Sequence, residues 1–221
     1  NEKGEGIMSN FKIPKDKTAI VLIEPQNDFL SEGGTMYAYI KDQLKERNVI
    51  ANLQNLLNGA RGKVAKIFYV PFHPFDEGFP ELKKGGPAYE GLRGIEIDMK
   101  ADWGTGAWLR GTPGPEIIKE LTPQKGDIVV EGKKTLDAFH STALDYLLRA
   151  NEIEYVAFTG FHTNWCVESS ARSAYDKGYR VIVIADCTAT DTQEEQDYAE
   201  KFIFPKIGKV MNHKEFLEAL E

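Results

Sequence analysis

The sequence predicts a three-layer α/β/α domain around one parallel sheet, and three observations carry that prediction. Apolar, β-branched runs of strand length alternate along the chain with stretches of helical period. One run, Thr18–Ile23 (TAIVLI), is apolar throughout, the pattern of a central strand covered on both faces. With 221 residues and 42% hydrophobic content, the chain is long enough to bury one sizeable core. The right-handed crossover rule then turns strand–helix alternation into a single parallel sheet with helices on both faces.

The elements follow in order. After the first strand, Ile40, Leu44, Ile50, Leu53, Leu56 and Leu57 recur near helical spacing and predict one helix over residues 40–58, closed by Gly59 and Gly62. Residues 64–72 read as strand two. Over residues 73–115 glycines, prolines, Trp103 and Trp108 replace any clear period, which in a compact domain marks a lid, a binding loop or an interface arm. Order resumes with a short helix at 116–121, a third strand at 127–131, a helix at 141–150 and a fourth strand at 155–160. A helix over 164–177, a fifth strand at 180–185, a helix around 194–202, a sixth strand near 209–211 and a last helix at 214–220 complete the chain. Residues 1–10 read as a flexible N-terminal tail or an expression remnant, because a Glu-, Lys- and Gly-rich stretch precedes Met8. Residues 11–221 form the domain.

Charge narrows the partners. Lys and Arg number 27 against 34 Asp and Glu, a formal net charge of −7 that disfavours nucleic acid and anionic membrane. No apolar run approaches the roughly 20 residues of a membrane helix, and the start lacks a secretory apolar stretch, so a cytoplasmic location is expected. The two cysteines, Cys166 and Cys187, are expected as reduced thiols; a redox pair between them is a minor alternative.

Ligands of such sheets collect where strand carboxyl ends meet helix amino-termini, which selects the residues just after each strand. These are Glu24 after strand one, Phe72 and His73 after strand two, Lys133 and Lys134 after strand three, and Cys166 after strand four. With Thr163 or Asn164 as a helix cap, Cys166 falls in the first turn, where free N–H groups and the helix dipole favour a thiolate nucleophile. A buried structural cysteine is the alternative. Glu24 ends an apolar strand, so its carboxylate must pair, hydrogen-bond or stay protonated, unless it starts a loop that faces water. The lysines draw weight only from position.

Three segments, LIEPQNDF (22–29), EGKKTLDAF (131–139) and TGFHTNWCVESSARSAYDKGYRVIVIADCTAT (159–190), resemble the isochorismatase-like cysteine hydrolase superfamily, which includes nicotinamidases, N-carbamoylsarcosine amidohydrolase, biuret hydrolases and ureidoacrylate hydrolases. The resemblance implies a six-stranded parallel sheet of order 3-2-1-4-5-6 and a triad of Glu24, Lys133 and Cys166, with Lys134 one residue from the matching lysine position. Glu24 departs from the aspartate usual there, keeping the charge and adding a methylene. The resemblance also implies a cis peptide at Phe161-His162, with the backbone N–H groups of His162 and Cys166 forming an oxyanion hole. Metal is not expected: nicotinamidases carry an Asp-x-His and a second His after strand two, whereas this chain has only His73 with Asp76 and Glu77 nearby. No cofactor is implied.

The expected function is a metal-independent amidohydrolase that cleaves a C–N bond of a small amide, carbamoyl or ureido compound through a thioester. The alternatives are an inactive binding or scaffold protein on the same fold, suggested by the Glu-for-Asp exchange and the irregular 73–115 stretch, and an isochorismate-type vinyl-ether hydrolase. The latter chemistry does without the cysteine in that family. Phe29, Trp108, Phe139, His162 and Trp165 are expected to line the substrate pocket because they flank the motifs or lie in the irregular stretch. Arg93, Arg110 and Arg172 have no fixed place relative to Cys166, so no carboxylate clamp is evident. By resemblance, the partners are a small-molecule substrate and further copies of the chain in a dimer or tetramer.

Overall fold

The computed structural model describes residues 11–87, 90 and 108–221, so the expectations for residues 1–10, Arg93 and Trp103 lie outside the described residues. Six strands, β1 (Thr18–Ile23), β2 (Lys66–Val70), β3 (Ile128–Val129), β4 (Tyr155–Phe161), β5 (Arg180–Ala189) and β6 (Gly208–Met211), form one sheet of order β3-β2-β1-β4-β5-β6. All pairings are parallel, as the strand–helix alternation predicts. β1 lies at the centre, buried along its whole length.

Side chains alternate across that strand and divide the core in two. Ile20 and Leu22 join one half with Leu30 of α1 (Asn27–Leu30), Ile40 and Leu44 of α2 (Tyr37–Glu46), Leu53 and Leu57 of α3 (Val49–Ala60) and Phe216 of α8 (His213–Ala219). Ala19, Val21 and Ile23 join the other half with Leu144 and Leu148 of α4 (Leu144–Ala150), Ala171 and Ala174 of α5 (Glu168–Asp176) and Phe204 of α7 (Phe204–Ile207). Three layers result.

Four elements differ from the sequence expectation, each for a local reason. The single helix over 40–58 is two, because Asn48 takes a left-handed backbone (φ 54°) and breaks the ladder between α2 and α3. The third strand keeps only two ladder residues, since β3 is the sheet edge and Val129 is exposed. The predicted 164–177 helix opens with a π-helical turn, Thr163–Val167, before α5. β5 runs to Ala189 through a bulge: between the pairs Phe158↔Val183 and Gly160↔Thr188, β4 advances two residues and β5 five. The remaining helices keep their expected places, the one around 194–202 running as α6 (Gln193–Tyr198), a π-helical turn (Ala199–Ile203) and α7; α6 and α8 each begin in a capping box, Thr192 with Glu195 and Asn212 with Glu215. No helix among the described residues is long and apolar enough to cross a membrane.

Candidate active site

The carboxyl ends of β1, β2 and β4 converge, and close approach there demands a glycine. Gly160 has φ 111°, and a Cβ on it would lie 2.1 Å from the Ile23 carbonyl oxygen. Directly after Ile23, Glu24 takes a left-handed conformation (φ 51°) that a glutamate reaches only at a cost of about 1–2 kcal/mol. Its N–H donates to Val70 O (3.1 Å) and its carbonyl accepts from Gln26 (2.9 Å), which hold the strained turn. The carboxylate is thereby turned inward, only 1% exposed.

Lys133 arrives from the loop beyond β3. Residues Phe72 and Lys133 form an isolated parallel bridge, and the Lys133 carbonyl accepts from His73 N–H (2.6 Å). Its ammonium is fully buried, donates to Glu24 Oε1 and to Thr135 O (2.6 Å), and lies 5.2 Å from the Phe72 ring centroid. Burial works to strip its proton, but the Glu24 carboxylate beside it outweighs this and holds the lysine above its ordinary pKa. Lys134 turns outward instead, pairing with Glu81 (3.0 Å) and lying over Phe75 (3.8 Å to the centroid).

Cys166 sits in the π-helical turn after β4, 6% exposed. Its sulfur lies near enough to the Glu24 carboxylate, the Lys133 ammonium and the backbone N–H of His162 for each to act on its protonation. The Phe161–His162 peptide is cis. The expected capping by Thr163 or Asn164 is absent: the Thr163 hydroxyl donates to Gln196 Oε1 (2.7 Å), and Asn164 Oδ1 accepts from Thr190. The thiolate expectation also needs correction. Burial pushes the thiol well above its ordinary range and the Glu24 carboxylate adds to that, against the pull of Lys133 and the His162 N–H. Burial and the neighbouring Glu24 thus favour the thiol form of Cys166 over the thiolate.

A cavity of about 390 Å³ opens on this cluster. Glu24 and Cys166 meet it at the strand ends, and Phe29, Trp108, His162 and Trp165 form part of its wall. Phe139 does not reach it. Its ring lies in the α4–α5 half of the core, stacked on Tyr179 (6.1 Å) and tilted against Phe158 (6.5 Å), because the following chain turns away into the core. Met36, Phe72, Lys134, Thr135 and Leu136 also line the cavity. The strand-end argument reaches Phe72 and Lys134; Met36 and Leu136 carry no chemical signal that a sequence reading detects.

Trp108 is placed by an acid. The Asp28 carboxylate accepts from Trp108 N–H (2.9 Å), Thr35 Oγ1 (2.8 Å) and Thr35 N–H (3.4 Å), and so ties two cavity walls together. Burial raises the Asp28 pKa against these donors. Gln26 adds a second clamp, accepting from Phe72 N–H (2.7 Å) and donating to Phe72 O (2.9 Å) and Pro115 O (2.8 Å). His162, 2% exposed, is lowered by burial to about 4 and is neutral at physiological pH.

A second polar cluster lies in the other core half. Ligand-type atoms of Asp186, Cys187 and His213 fall within 4.8 Å of one another. His213 donates its backbone N–H to Asp186 Oδ1 (2.8 Å), and its ring meets Asp186 Oδ2 at 2.6 Å. The β5 bulge creates this grouping, which spacing in the sequence does not reveal. Cys166 and Cys187 are both free and occupy different halves of the core.

Comparison with known proteins gives this arrangement a family. The model of the isochorismatase domain matches residues 18–215, nearly the whole described fold. The chain belongs to the isochorismatase family. It is 32% identical to the isochorismatase family protein YwoC of Bacillus subtilis (strain 168) over 215 residues, covering 97% of this chain and 100% of that protein. It is 33% identical over 174 residues to the ureidoacrylate amidohydrolase RutB of Serratia proteamaculans (strain 568), covering 78% of this chain and 69% of that one. The fold is shared with a cysteine hydrolase from Pseudomonas syringae pv. phaseolicola 1448A, with a TM-score of 0.78, 23% identity and 95% of both chains covered. Within the isochorismatase family this chain is a hydrolase-type member with Glu, Lys and Cys grouped at the sheet's carboxyl edge.

Proposed function

We propose that this isochorismatase-family protein is a cysteine amidohydrolase that cleaves the C–N bond of a small amide, carbamoyl or ureido compound without a metal. One observation carries the reading: the Cys166 thiol, the Glu24 carboxylate and the Lys133 ammonium meet at the edge of a cavity.

The chemistry follows from the resting charges. Glu24 takes the Cys166 proton as the sulfur attacks the carbonyl carbon, so the thiolate forms only when it is consumed. Lys133 pairs with the carboxylate before attack and balances negative charge while the proton moves. The oxyanion of the tetrahedral intermediate is met by the backbone N–H groups of His162 and Cys166. Collapse breaks the C–N bond, and Glu24 returns its proton to the departing amine. Water then attacks the thioester, gives a proton to Glu24, and releases the acid with the thiol restored. The name of the RutB relative, an amidohydrolase acting on a ureido compound, supports the same bond class.

Ammonia release from a panel of small amides, ureas and carbamoyl amino acids tests the reading. Cys166→Ala is expected to lower turnover of any substrate by at least about 10,000-fold. Full turnover in that variant would sink the assignment. Absence of release from every compound, with Cys166 alkylating no faster than an ordinary buried thiol, would favour a binding role on the same fold.

A further inference from the structure

The cavity wall carries more information than the reacting groups. Phe29, Phe72 and Trp108 form a contiguous aromatic surface, with Trp108 4.8 Å from Phe72 and 5.7 Å from Phe29 between ring centroids. Met36 and Leu136 extend it with apolar surface. Trp108 Nε1 is buried and has no hydrogen-bond partner, although the residue lines the cavity and is only 5% exposed. A buried N–H of this kind stays uncompensated until an acceptor reaches it.

Charge is distributed the opposite way. Among the described residues, the one cation in the cavity wall is Lys134, whose ammonium is engaged by Glu81 (3.0 Å) and the Phe75 ring (3.8 Å). Lys133 is held by Glu24. A second carboxylate brought in by a ligand would be desolvated against an aromatic wall with no free cation among the described residues of that wall to meet it.

Resting on the amidohydrolase reading, we propose that the cavity selects an uncharged, flat, largely apolar acyl group bearing one hydrogen-bond acceptor for Trp108 Nε1, and turns away amides whose acyl group carries a carboxylate. The chain thereby departs from a relative named for ureidoacrylate, an anionic compound. The selection lies in the wall, not in the Glu24–Lys133–Cys166 cluster, so the two readings fail separately.

The test pairs benzamide with 4-carbamoylbenzoate, which adds a carboxylate to the same ring. Ammonia release by the full-length protein is expected to favour benzamide by at least about 100-fold in kcat/KM. Equal or better turnover of 4-carbamoylbenzoate, still abolished by Cys166→Ala, would overturn the selection and leave the cysteine chemistry standing. Should neither release ammonia, binding to Cys166→Ala followed by tryptophan fluorescence decides. Benzamide binding tighter than 4-carbamoylbenzoate sustains the inference, and the reverse order, equal binding or no benzamide binding overturns it. The three pyridinecarboxamide isomers probe the acceptor. The best isomer is expected to exceed benzamide by about 10-fold in the native protein and to lose that advantage in Trp108→Phe, which keeps the ring face and removes the donor. An advantage that persists in the variant would remove Trp108 Nε1 from the proposal.

Discussion

Two buried thiols in the two halves of one core have nearly the same neighbours and different capacities. Cys166 meets the carboxylate of Glu24 and the ammonium of Lys133; Cys187 meets the carboxylate of Asp186 with His213 alongside. In both, burial raises the thiol first and the carboxylate raises it further. The difference lies in what else each carboxylate does. Asp186 is filled by the backbone and ring of His213 and so anchors the start of α8, with Cys187 sealed at 0% exposure. Glu24 keeps Oε2 without a hydrogen-bond partner of ordinary geometry, beside a sulfur that reaches a cavity. Residue types alone do not make a reactive site; an open acceptor, a compensating cation and access do.

The largest effect that tests this contrast comes from removing the cation. Lys133→Met leaves Glu24 buried and unpaired, and is expected to destabilise the fold by about 3–5 kcal/mol. Turnover is expected to fall by at least about 1,000-fold, measured as kcat on the substrate found by ammonia release. Cys187→Ala is the counterpart: kcat/KM stays within about 3-fold, while stability falls by about 1–2 kcal/mol through lost packing. A Lys133→Met protein within tenfold of native activity, or a Cys187→Ala protein that loses turnover, would reverse the comparison.

A middle-sized effect is expected in thiol labelling and its pH dependence. Iodoacetamide on the native protein, read by peptide mass spectrometry, is expected to modify Cys166 at least about 100-fold faster than Cys187, whose labelling awaits unfolding. Because the Cys166 pKa is raised, its labelling keeps climbing with pH through the ordinary thiol range instead of reaching a plateau there. Both raised thiols also bear on stability. Above the unfolded thiol pKa, about 8.5, the native state binds more protons than the unfolded chain, so stability falls as pH rises. His162 acts at the other end: lowered to about 4, it contributes stability present above its unfolded pKa of about 6.5 and lost as pH falls toward 4. Denaturant titrations at several pH values check both limbs.

Much of this was legible in the sequence, because strand periodicity and the strand-end rule depend on local pattern. The apolar run of β1, the alternation that makes the sheet parallel, and the positions of Glu24, Cys166 and the pair Lys133 and Lys134 follow from such patterns, whereas the choice of Lys133 over Lys134 came from the family resemblance. Features created by backbone conformation were not legible. The left-handed Asn48 divides a helix whose apolar spacing looks continuous, and the β5 bulge brings Asp186 and Cys187 against His213. Phe139 was misplaced because the motif that carries Lys133 ends in a turn: Asp137 Oδ1 accepts the Phe139 N–H (2.9 Å) and commits the ring to the core. The thiolate expectation assumed a capped helix end, whereas Cys166 lies in an uncapped π-helical turn where burial, joined by the Glu24 carboxylate, pushes the thiol upward.

The smallest effect concerns how the lysine loop is held against the cysteine turn. The Ser170 hydroxyl donates to Cys166 O (2.6 Å) and accepts from Ala138 N–H (2.9 Å), joining the two segments through one buried atom. Ser170→Ala leaves the Ala138 N–H unpaired and is expected to cost about 1–3 kcal/mol in stability. A kcat reduction of about 3- to 10-fold should accompany it, because the loop that carries Lys133 and its acceptor Thr135 O loses its tie to Cys166. Tyr179→Phe provides the control, since it removes a hydrogen bond to Asp145 (2.9 Å) on the same core half without touching the cluster. Its stability loss, read from the same denaturant curves, should be similar or smaller, with kcat unchanged. Equal kcat losses in the two variants would mean that activity follows general stability and that Ser170 has no positioning role; a loss confined to Ser170→Ala would locate part of the rate in the alignment of the two segments.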